Sequence, residues 1–190
     1  MIMAKTPSLK ASSLVLFMVL ESKLPEGSTY KDLMPLVPKF FSYVLSFIYI
    51  GIYWNNHHHM MHTVKQVNGK ILWANLHLLF WLSLIPFATA WNGENNFAPF
   101  PMMLYGIILL MNGVAYYILQ SLIIKDGKNP VLSKAIGKDF KGKASPILYT
   151  IAVLFANFYP IISGGIYILV ALMWLVPDKR IEHIFNNENE

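Results

Sequence analysis

The chain contains no cysteine. Disulfides, thiolate metal sites, thiol nucleophiles and iron–sulfur clusters are therefore excluded. Charge is also scarce: Asp, Glu, Lys and Arg make up 13% of the 190 residues, against 55% hydrophobic residues and a mean hydropathy of +0.46. A soluble domain carries about twice that share of charge, and a disordered chain carries far less apolar surface. Between residues 71 and 124 the only carboxylate is Glu94. Carriers coupled to protons or ions usually place an ionisable group at the membrane midplane, so this scarcity speaks against one. A nucleophile elbow and a phosphate-cradling glycine loop are missing too, and a general acid and base cannot be assembled from so few groups. The chain is not read as an enzyme, no catalytic residue is assigned, and no cofactor is implied. Solenoid repeats and low-complexity tracts are absent.

What is present is a series of apolar runs, which makes the expected fold class an all-α membrane protein. Crossing about 30 Å of hydrocarbon at about 1.5 Å per residue takes roughly 20 residues. Residues 12–20 fall short of this, but Lys10, Glu21 and Lys23 can snorkel and extend a first helix to about 9–24, before Pro25 and Gly27 end it. A cleaved signal peptide is the alternative, and no small-x-small cleavage site follows Leu20 to support it. Further spans are expected at about 38–56, at 71–91 with Pro86 as a kink, and at 100–124. The run from residue 147 to 177 is interrupted by Asn157, Pro160 and Gly164-Gly165, and reads as one bent helix or as two short spans.

Charge chooses between these. With six spans and both termini on one side, that side holds Lys5, Lys10, Lys65, Lys70, Lys125, Lys128, Lys134, Lys138, Lys141, Lys143, Lys179 and Arg180, twelve in all. The other side keeps Lys23, Lys31 and Lys39. This is a positive-inside asymmetry, whereas five spans would put Lys179 and Arg180 outside. The expectation is a single six-helix transmembrane domain over residues 1–190, with the last two spans at about 144–158 and 160–177 and a tight turn near Asn157 to Pro160. Both termini, including the tail at 178–190, are expected in the cytoplasm, with the protein multi-pass in the cell inner membrane. The net charge of +5 then needs no nucleic-acid partner, because anionic headgroups of the bilayer suffice.

The string Trp54-Asn55-Asn56-His57-His58-His59-Met60-Met61-His62 invites a metal reading, because imidazoles one, three and four apart can share a helix face. A membrane di-iron site needs several separate histidine boxes, and this chain has six histidines, two of them, His77 and His183, far from the string. A single surface ion bound by His58 and His62 is the alternative; no metal site is expected, and the string is read as the interfacial end of the second helix. Asn75 and His77, near the start of the third span, are expected to form a hydrogen-bonded polar pair. Ser163-Gly164-Gly165-Ile166-Tyr167 superficially resembles a potassium filter but lacks a preceding pore helix, and its glycines are expected to let neighbouring helices approach.

Three longer strings carry a more specific resemblance. They are Lys39-Phe40-Phe41-Ser42-Tyr43-Val44-Leu45-Ser46-Phe47, Tyr53-Trp54-Asn55-Asn56-His57-His58, and Leu72-Trp73-Ala74-Asn75-Leu76-His77-Leu78-Leu79-Phe80-Trp81-Leu82-Ser83-Leu84-Ile85-Pro86-Phe87. From Pro25 onward the chain resembles a prokaryotic member of the transmembrane protein 175 family of potassium channels, also catalogued as domain of unknown function 1211. The resemblance implies six helices per subunit, a homotetramer whose first helices line a central pore, and passive passage of potassium. It also implies a polar network bracing the first helix, onto which His57, His58, Asn75 and His77 map.

The family hallmark is an Arg, three residues, then Phe-Ser-Asp at the start of the first helix. Aligning Val19-Leu20-Glu21 with the family's usual Val-Leu-Glu puts these positions on Ile2 and Thr6-Pro7-Ser8, and none matches. An altered start or a diverged first segment would each leave such a pattern. The family's hydrophobic constriction falls on Ser13, Phe17 and Leu20, of which only Leu20 matches in kind. The resulting expectation is a passive monovalent cation channel for potassium, gated by dewetting at that ring. The alternative is a small membrane transporter or a non-conducting membrane assembly protein.

Overall fold

The computed structural model describes residues 28–62, 64, 67–126 and 140–175. The expected first span with Ser13, Phe17 and Leu20, most of the basic loop before residue 140, and the tail with His183 lie outside the described residues. Among the described residues every regular element is helical. The order is α1 (Tyr30–Leu33), a 3-10 turn (Met34–Leu36), α2 (Val37–His62), α3 (Gly69–Ser83), α4 (Ile85–Glu94), α5 (Pro99–Asp126), α6 (Phe140–Ala156) and α7 (Pro160–Leu175).

Local chemistry sets the boundaries. Thr29 starts α1 through a reciprocal box in which its amide (3.0 Å) and hydroxyl (2.7 Å) both donate to Asp32 Oδ2. Asn68 caps α3, its Oδ1 accepting from the Ile71 amide at 3.0 Å. The expected kink at Pro86 is a full interruption: α3 ends at Ser83, Leu84 forms a turn, and Pro86 sits in the first turn of α4, where a missing N–H costs nothing. Asn96 and Phe97 adopt φ of 48° and 58° in the link to α5. Two successive left-handed residues reverse the chain there, and for the bulky Phe97 the conformation is strained. The long apolar run after residue 147 is divided by a turn at Asn157–Tyr159, closed by the Tyr159 amide donating to Phe155 O at 2.7 Å.

Helix α5 is the organising element, packing against α3, α4, α6 and α7. Helix α2 lies across α4 and α7, and α6 pairs with α7 as a hairpin. The core runs through Tyr49, Leu78, Ile85, Tyr105, Leu109, Leu119, Ile123, Tyr149, Tyr167 and Val170.

The outside of the bundle is apolar as well. Phe40, Phe41 and Phe47 on α2, Trp73, Leu76 and Phe80 on α3, and Ile161, Leu169 and Leu172 on α7 are all exposed, Ile161 by 87%. A protein in water does not present so much contiguous apolar surface, and a lipid-facing one does. Among the described residues three helical stretches, Tyr30–His62, Gly69–Glu94 and Pro99–Lys125, are long and apolar enough to cross a membrane, and Pro160–Leu175 is a shorter apolar helix.

Among the described residues, close approaches between helices are made by glycines other than the expected pair. A Cβ on Gly165 would meet no atom within 4 Å, and one on Gly164 only the flexible Met102 Cε at 3.4 Å. The close contacts fall instead at Gly93, whose Cβ would stand 2.9 Å from Lys39 Cα, and at Gly106 against Tyr167. Gly165 is exposed on α7, so no helix among the described residues approaches it closely.

Candidate functional site

The polar groups of the bundle form three levels. At one end, where α2 begins and α4 ends, Lys39 Nζ lies 3.2 Å from Glu94 Oε1 and the two chains touch at Gly93. Both side chains are partly in solvent, so the pair is a modest tie.

The middle level is uncharged and buried. Ser46 Oγ is hydrogen-bonded to Thr89 Oγ1 and, at 2.8 Å, to the Tyr105 hydroxyl, and Thr89 Oγ1 also donates to Ile85 O at 2.7 Å. Ser46, Thr89 and Tyr105 thereby connect α2, α4 and α5. The Tyr49 hydroxyl donates to Tyr167 O at 2.5 Å, and the Tyr167 hydroxyl donates to Met102 O at 3.1 Å, which joins α2, α7 and α5. Ser163 Oγ closes the α6–α7 hairpin by donating to Ala152 O at 2.7 Å. In an apolar surrounding each such bond is valuable chiefly because leaving the group unpaired is costly.

The third level is the histidine end of α2. The helix runs on to His62, past the expected span end near residue 56, so the string forms its last turns. His57 Nε2–H donates to Asn75 Oδ1 at 2.7 Å and ties α2 to α3. His58 turns elsewhere: its ring stacks on Trp54 with centroids 5.6 Å apart, and its Nε2 is 3.1 Å from His62 Nε2, so one imidazole donates and the other accepts. His77 accepts from the Trp81 indole N–H at 2.9 Å. Of the four residues expected in one network, His57 and Asn75 are joined directly by a hydrogen bond. Asn75 and His77 do not pair with each other, because residues two apart on a helix point to different faces. Among the described residues no group of three His, Cys, Asp or Glu is placed to hold a metal ion.

The middle level was missed from the sequence, although it left a signal. Ser42 and Ser46 stand one turn apart in an otherwise apolar run, and Thr89 lies in another. Small hydroxyl residues in such runs mark helix contacts, but which partner each meets depends on the packing.

Comparison with known proteins agrees with this architecture. The family model described as endosomal/lysosomal potassium channel TMEM175 matches residues 12–86. A potassium channel from Chryseobacterium sp. is 55% identical over 170 residues, covering 89% of this chain and 88% of that protein. A potassium channel from Streptomyces collinus is 31% identical over 84 residues, 42% of this chain and 41% of that one. The crystal structure of a lysosomal potassium-selective channel TMEM175 homolog from Chamaesiphon minutus superposes with a TM-score of 0.77 at 19% identity, covering 92% of this chain and 95% of that one, which shows a shared fold. The family comprises ion channels and not enzymes. With its sequence matched across nearly the whole length of the Chryseobacterium protein, the chain belongs to the TMEM175 family of potassium channels.

Proposed function

We propose that this protein conducts potassium passively down its gradient as a subunit of a homotetramer with six membrane spans per chain. The observation that carries the reading is the 55% identity to a bacterial potassium channel across 89% of this chain. In this reading α2, α3 with α4, α5, α6 and α7 supply five spans and the segment near residues 9–24 supplies the first. Four copies of that first helix surround the pore, and Leu20 with Phe17 and Ser13 forms the constriction. An apolar ring needs no carbonyl filter to close a pore, since a narrow hydrophobic passage sheds its water. His57 and Asn75 hold the neighbouring helices in register, and the neutral buried groups Ser46, Thr89 and Tyr105 fit a rigid scaffold better than an ion-coupled carrier. The charge asymmetry supports an orientation with both termini in the cytoplasm, and a multi-pass chain of this kind fits the cell inner membrane.

The experiment is potassium flux from liposomes containing the purified full chain. Rapid flux that follows the imposed membrane potential, with a smaller sodium flux, is the expected result. Flux that saturates with potassium concentration or requires a second ion would favour a transporter, and absence of flux from well-folded tetramers would favour an assembly protein.

A further inference from the structure

Helix spacing brings two imidazoles of the histidine string together on one face of α2. His58 and His62 stand four residues apart in its last turns, with ring centroids 4.4 Å apart and Nε2 atoms 3.1 Å apart. His62 is exposed and His58 half-buried, so water reaches the pair. Two other histidines are committed elsewhere, His57 to Asn75 and His77 to Trp81.

The separation of the two nitrogens is that of two donors on one metal ion. Nitrogens bound at about 2.0–2.1 Å stand about 2.9 Å apart in a square-planar site and about 3.4 Å apart in a tetrahedral one. The observed 3.1 Å lies between these. The pair is also held in place: the Trp54 ring stacks on His58 with an interplanar angle of 17°, which fixes the first donor, and the helix carries the second one turn on. Without an ion, one imidazole donates its Nε2 proton to the other. Carrying that proton on Nδ1 of the same ring leaves both Nε2 lone pairs facing one point, with no change in net charge.

We infer that His58 and His62 chelate one late first-row divalent cation, copper, nickel or zinc, at the exposed end of α2, with water in the remaining positions. The donors set the ion class. Imidazole nitrogen suits these borderline ions, whereas magnesium and calcium take oxygen ligands that the pair does not offer. Among the described residues no third His, Cys, Asp or Glu completes a larger site, so the ion exchanges with solution. The small number of histidines, which speaks against a di-iron centre, does not bear on a chelate of two.

The test is calorimetric titration of the tag-free full chain in neutral-lipid nanodiscs with Cu2+, Ni2+, Zn2+ and Mg2+, protein-free nanodiscs serving as the blank. The wild type should bind one ion per chain, Cu2+ more tightly than Ni2+ or Zn2+, and should not bind Mg2+. His62→Ala removes one of the two donors and should weaken Ni2+ binding by about tenfold or more, because the second contact of a chelate forms within one molecule. His58→Ala should do the same. His59→Ala and His183→Ala leave the pair intact and should keep the wild-type affinity. Helix content and elution volume matching the wild type establish that each variant is folded. Should His58→Ala not fold, the exposed His62 decides alone. Absence of saturable Ni2+ binding to the wild type, or equal affinity in wild type and His62→Ala, overturns the assignment and leaves the pair as a hydrogen bond between two rings. Loss of binding in His183→Ala would move the ion to another histidine and overturns it as well.

Discussion

Gly106 on α5 and Tyr167 on α7 share a space that only one of them can fill. A Cβ on Gly106 would stand 2.0 Å from Tyr167 Oη, 2.8 Å from its Cζ and 2.9 Å from Val153 Cγ2. The tyrosine is fully buried and its hydroxyl donates to Met102 O, so it is pinned at both ends of the ring. Gly106→Ala should therefore destabilise the fold by about 1–3 kcal/mol, the usual range for overpacking. Adding Tyr167→Phe should recover only part of the loss, because Cζ and Val153 remain too close. Thermal unfolding of the single and double variants in one detergent checks this, and equal stability of Gly106→Ala and wild type would contradict the packing described.

The His57–Asn75 bond ties the end of α2 to α3 at 2.7 Å. Removing either partner should cost about 0.5–1.5 kcal/mol, and the double variant His57→Ala with Asn75→Ala should cost less than the sum. A coupling of about 0.5 kcal/mol or more is expected between them. The same cycle for Asn75 and His77 should show additivity, since His77 bonds to Trp81 instead. Coupling of Asn75 to His77 but not to His57 would reverse the pairing.

These two sites show where the sequence was readable. The helical class followed from runs too apolar for water, and residue types as specific as Asn75 and the histidine string pointed to the family. Partners were not legible. Asn75 and His77 looked paired because they are close along the chain, but helix geometry turns them to different neighbours. The same limit applies to glycine. Gly164-Gly165 attracts attention as a pair, while the single Gly106 admits the tyrosine, and only the distance between α5 and α7 reveals it. Ser46 met Thr89 and Tyr105 through contacts 43 and 59 residues away, which no local pattern encodes.

Orientation offers a test that does not depend on conduction. The twelve basic residues assigned to one side and three to the other predict that a reporter fused after Glu190, or inserted near Lys134, is cytoplasmic. A reporter near Glu94, beside the Lys39 ion pair, should be outside. Activity of paired reporters that work only in the cytoplasm or only outside it would show this directly. The Lys134 and Glu94 reporters appearing on one side would rule out the six-span arrangement.

The constriction gives the most demanding prediction. In the proposed tetramer Leu20 faces the central axis, with Phe17 three residues earlier on the same helix face. Leu20→Ala removes one isobutyl group from each of four subunits at a single ring, so one substitution acts four times. The widened ring holds water more readily, and basal potassium flux should rise while expression and tetramer yield stay near those of the wild type. A helix that merely packs against its neighbours predicts the opposite pattern. There the lost side chain leaves a cavity costing about 2–5 kcal/mol, which lowers the yield of folded protein and brings no gain in flux. Measuring flux per reconstituted tetramer separates the two, because it divides out the loss of material. Higher flux per tetramer supports a pore-facing Leu20, and fewer tetramers with unchanged flux would return the first helix to a packing role.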